Sequence, residues 1–68
     1  MEKFRAEYAA SLRAEAARLR SLVSRTEAMV GSNLVDPQVA GPLKASLDAA
    51  AEALDEVAQS VAPASPKR

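Results

Sequence analysis

Glu52, Asp55 and Glu56 fall within two turns of one helical segment, a spacing at which carboxylates could gather around a hard cation. A continuous helix fans such side chains outward, and no second acidic cluster stands elsewhere in the chain to complete a shell, so the group reads as charged surface. Histidine and cysteine are both absent. That removes the usual ligand sets for zinc and for di-iron centres, and it leaves every serine without an imidazole to act as base. The chain has two glycines and no glycine-rich phosphate loop. Arg13, Arg18, Arg20 and Arg25 form a basic series of the kind that meets nucleic acid, but acids stand close by and no aromatics are interleaved. Phe4 and Tyr8 read as packing residues and not as a stacking platform. The expectation is a non-enzymatic chain with no catalytic residues, no cofactor and no metal.

Composition bounds the partners as well. The 68 residues carry nine bases and nine acids, a balance that argues against a general electrostatic grip on nucleic acid or an acidic membrane. One small domain of this size buries too little surface to be comfortable without staples or partners, and without cysteine a disulfide is not among the staples. The opening residues Met1-Glu2-Lys3-Phe4-Arg5-Ala6-Glu7 interleave charges where a secretory signal needs an apolar run. No window approaches the roughly 18 apolar residues of a membrane span. These features point to a soluble, cytoplasmic chain with no membrane span.

The elements that must position these side chains are helical. From about Glu2 to Val30 the chain is rich in Ala, Leu, Arg and Glu and free of Gly and Pro, the residues that lose least on entering a helix. Gly31 is suited to close that helix in the left-handed conformation, with Ser32-Asn33 continuing the turn. Asp36-Pro37 supplies an acceptor at the N-cap followed by a residue whose missing N–H costs nothing at the first helical position. Pro42 is expected to interrupt the second helix near Gly41, because it removes a hydrogen bond and crowds the carbonyl of Gln38. The main body then runs from Pro42 to about Val61. Residues 62–68, with two prolines, small residues and two terminal charges, read as a flexible tail.

Leu43, Leu47, Ala50, Leu54, Val57 and Val61 recur at spacings of four and three, one narrow stripe built to meet another helix. A complementary stripe on the first helix carries Ala9, Leu12, Ala16, Leu19, Val23, Thr26 and Val30. Folded antiparallel, the two stripes set Leu12 against Val61, Leu19 against Leu54, Val23 against Ala50 and Val30 against Leu43, large residues against small or middling ones. Glu27 then falls opposite Lys44. The predicted fold is all-α: an antiparallel two-helix hairpin over residues 1–61, with a first helix of about 2–30 and a second of about 37 or 42 to 61. Its expected core is Leu12, Leu19, Val23, Val30, Leu43, Leu47, Leu54, Val57 and Val61.

Such a hairpin leaves apolar surface uncovered. Phe4 and Tyr8 lie beyond the end of the second helix, and Tyr8, Leu22 and Met29 share one flank of the first. Two helices offer each other one face only, so a partner is expected, most simply a second copy giving a dimeric four-helix bundle. The second helix, with Lys44 against Asp48, Glu52, Asp55 and Glu56, is acidic and sets like charges within a turn of one another; arginines of the first helix would relieve that strain. The predicted role is a homo-oligomeric scaffold, adaptor or small subunit whose interface is Phe4, Tyr8, Leu22 and Met29. The alternative is an obligate heteromeric partner of another helical protein, as in a secretion partner or a chaperone-like component of a larger assembly.

A helical hairpin that pairs with another hairpin resembles the small WXG-type proteins of type VII secretion, and Met29-Val30-Gly31 falls where their Trp-x-Gly turn would lie. The tryptophan is missing, the chain is shorter than is usual in that family, and residues 62–68 lack its tyrosine-containing export signal. The family is not assigned on these grounds.

Overall fold

The computed structural model describes residues 2–62, which form two helices, α1 (Glu2–Gly31) and α2 (Pro37–Val61), packed against each other as a hairpin. The molecule is a flat rod of 48 × 22 × 14 Å. Of the segment expected as a tail, Ala62 caps α2, donating its N–H to Ala58 O at 2.9 Å; the remaining residues, 63–68, lie outside the described residues.

The turn between the helices follows from a few local bonds. The chain leaves α1 through a 6→1 bond from Leu34 N–H to Met29 O (2.9 Å) and a bond from Asn33 N–H to Val30 O (3.0 Å), the pair that satisfies orphan carbonyls in a Schellman ending. The residue that takes the left-handed conformation is Asn33, with φ 62°, and not Gly31, which remains in the helix. Asparagine tolerates this region better than most side chains, so α1 gains a last residue before turning. Asp36 starts α2 as expected, its Oδ1 accepting from Gln38 N–H at 2.9 Å, with Pro37 at the first helical position.

Pro42 does not interrupt α2, which runs unbroken from Pro37 to Val61. Residue 41 explains much of this tolerance. A side chain before proline normally clashes with the ring in the α conformation, and Gly41 has none. The missing N–H lies near the exposed start of the helix, where water can serve the carbonyl left without a partner.

Burial corrects the expected core on one helix and not on the other. On α1 the side chains turned toward α2 are the buried Ala9, Ala16 and Thr26 and the half-buried Leu12, Leu19, Val23 and Val30, the stripe read from its periodicity. Thr26 satisfies its hydroxyl by donating to Leu22 O at 2.8 Å. On α2 the inward residues are Ala40, Lys44, Leu47, Ala51, Leu54, Ala58 and Val61, with all three of these alanines fully buried. Leu47, Leu54 and Val61 lie in this seam, half-buried. Leu43 and Val57, expected in the core, are 45% and 44% exposed. The helix is rotated so that the methyl groups of Ala40, Ala51 and Ala58 face α1, interspersed with Lys44, Leu47, Leu54 and Val61. Among the described residues no large side chain is fully buried.

Candidate functional site

Two ion pairs between the helices identify one broad side of the rod. Arg20 meets Asp55 at 2.8 Å and Lys44 meets Glu27 at 3.6 Å. The second is the pairing expected from the register, and the first supplies an arginine to the acidic helix. Arg20 and Glu27 each follow an inward residue of α1, Leu19 and Thr26, and Asp55 follows the inward Leu54 of α2. Positions one step after the seam therefore share this side in both helices. Lys44 stands in the seam itself, half-buried, and its ammonium reaches Glu27.

Positions one step before the seam come together on the opposite side. On α1 these are Tyr8, Glu15, Leu22 and Met29; on α2 they are Leu43, Ala50 and Val57. Phe4 and Val39 stand one turn before Tyr8 and Leu43 and continue the same side. All seven large apolar side chains that the helices expose, Phe4, Tyr8, Leu22, Met29, Val39, Leu43 and Val57, thus lie on one broad side of the hairpin. An eighth, Leu34, projects from the turn, 70% exposed.

The α2 half of this surface is a second helical seam. Val39, Leu43, Ser46, Ala50, Ala53, Val57 and Ser60 repeat at four and three, all are exposed, and none is charged. The α1 half is bulkier and includes Glu15, Arg18 and Arg25. Glu15 and Arg18 neutralise each other at 3.0 Å, one helical turn apart. A shallow, open depression beside Leu22 is bordered by Arg18, Leu19, Ser21 and Arg25.

The four residues expected at an interface, Phe4, Tyr8, Leu22 and Met29, are thus exposed on one side, and the sequence reading missed their neighbours Val39, Leu43 and Val57. The missing signal was charge. Every charged residue of α2, Lys44, Asp48, Glu52, Asp55 and Glu56, avoids the seam 39-43-46-50-53-57-60, and that pattern was visible without coordinates. Glu52, Asp55 and Glu56 do not gather into a cation site: Asp55 turns to Arg20, and among the described residues no group of three or more such ligands is assembled. No helix among the described residues is long and apolar enough to cross a membrane. At the N-terminal end of α1, Arg5 Nε donates to Val61 O at 3.1 Å, placing a cation at the carbonyl end of α2, where the helix dipole favours it. Comparison with protein-family models, curated proteins and solved structures finds no match for the chain.

Proposed function

We propose that this chain is a non-enzymatic interaction protein that self-associates through the side bearing Phe4, Tyr8, Leu22, Met29, Leu43 and Val57, forming a dimeric four-helix bundle and serving as a scaffold, adaptor or small subunit. One observation carries this reading: the large apolar side chains that the two helices expose are gathered on one side, while the only buried residues of the seam, among the described residues, are alanines and a threonine. Each large apolar side chain gains about 1.5–3 kcal/mol when moved from full exposure to full burial, and the single hairpin leaves these six 41–69% exposed, so part of that gain is unrealised. A second hairpin laid on the same side would collect it without disturbing either ion pair between the helices.

Sedimentation equilibrium or native mass spectrometry tests the reading directly. The expected species is twice the 7.1 kDa chain mass, held at micromolar concentration. A cooperatively melting species of single-chain mass at that concentration would overturn it.

A further inference from the structure

We infer that the second copy is turned about the long axis of the rod, so that α1 of each protomer lies antiparallel along α2 of the other and both turns sit at the same end of the bundle. This rests on the self-association reading and specifies its geometry. Two hairpins stacked on their apolar sides have two symmetric choices: like helix on like helix, or α1 on the partner's α2. Volume separates them first. The outward side of α1 carries Tyr8, Arg18, Leu22, Arg25 and Met29, whereas the centre of the outward α2 seam is Ser46, Ala50 and Ala53. Stacking like on like crowds large side chains on one half and leaves alanine facing alanine on the other. Crossing the helices sets the bulky middle of the outward α1 side, around Leu22, against Ser46, Ala50 and Ala53 of α2 in both halves, a large-against-small match at the centre of the bundle.

Charge separates them again, and in the same sense. Helix α1 has six bases to four acids and α2 one base to four acids, so like-on-like stacking opposes equal signs along both pairs. It also draws Arg18 and Arg25 of both copies into one seam. Turning the copy about the long axis keeps every residue at its own height along the rod, and the ion pairs Arg20–Asp55 and Glu27–Lys44 mark those heights. Arg18 then comes level with Glu56 of the other protomer, Leu22 with Ala50, and Met29 with Leu43. Glu56 borders the outward seam of α2 and is exposed, placed to receive the guanidinium.

The chain has no cysteine, so single cysteines report only contacts between protomers. Chains carrying Met29→Cys, mixed with chains carrying Leu43→Cys and gently oxidised, should give the mixed disulfide as the main covalent dimer. In a second arm, Arg18→Glu and Glu56→Arg should each weaken dimerisation several-fold in sedimentation, and the double variant should recover it, with circular dichroism confirming that helicity is retained. If the wild-type chain sediments as a dimer and the Met29→Cys and Leu43→Cys chains give no mixed disulfide, this arrangement is overturned and self-association stands. Tighter association of Arg18→Glu alone, the sign expected when α1 lies on α1, overturns it too. A wild-type chain of monomer mass removes both readings together.

Discussion

The two broad sides of this hairpin are built from equivalent positions around the same seam, yet they differ in chemistry. One side carries Arg20–Asp55 and Glu27–Lys44; the other carries seven exposed large apolar side chains and, on α2, no charge. An isolated rod gains nothing from such segregation, because water meets both sides equally. Mixing the charges among the apolar residues would serve its solubility better. The asymmetry is what supports the proposal that the two sides have different neighbours, solvent on one and protein on the other.

Substitutions break or sharpen that contrast with graded effect. The largest effect is expected from Leu22→Glu, which sets a carboxylate in the middle of the apolar side. Burying it unpaired costs several kcal/mol, so dimerisation should weaken by at least roughly 100-fold, with helical circular dichroism falling at the same time. Unchanged mass and helicity would mean that association does not use this side. An intermediate effect is expected from Ala51→Leu, which overfills the seam between the helices and touches neither broad side. It should lower unfolding stability by about 1–3 kcal/mol in chemical denaturation, and a neutral result would show the seam to be looser than its fully buried alanines imply. The smallest is expected from Arg20→Ala on the ionic side. Its pair with Asp55 has side chains 49% and 40% exposed, so the loss should stay below about 1 kcal/mol and shrink with added salt. A cost as large as that of Leu22→Glu would erase the distinction between the sides.

Much of the hairpin was legible in residue order. The stripe on α1, the Asp36-Pro37 start and the pairing of Glu27 with Lys44 all follow from spacing and local chemistry, and they stand in the structure. The turn and the face of α2 were read less well, for different reasons. Gly31 is the better intrinsic left-handed residue, but Asn33 sits where the 6→1 bond from Leu34 can form, and hydrogen-bond placement decides. On α2 the apolar arc is broad, and Leu43, Leu47, Ala50, Leu54, Val57 and Val61 run along its middle. Periodicity weights large side chains, so it chooses that midline. In the structure the arc is divided: Ala40, Ala51 and Ala58 turn to α1, while Leu43, Ala50 and Val57 turn outward. An arc wider than one neighbouring helix covers fits the proposed second neighbour, and absent charge marks its limits better than hydrophobicity does. The outward surface was legible in its α1 half, through Phe4, Tyr8, Leu22 and Met29, and overlooked in its α2 half because Leu43 and Val57 were assigned to the core and Val39 lies before the expected main body of the helix.

The confinement of both interhelical ion pairs to a single side also has a consequence for how large an assembly can grow. A ribbon greasy on both surfaces would stack without end, each added layer offering fresh grease to the next. In the proposed pair, both broad sides left facing out carry the hydrated ion pairs, and a third ribbon meets no apolar broad side to adhere to. On the proposed self-association, Arg20, Asp55, Glu27 and Lys44 would act as a stopping rule, favouring a pair over a filament.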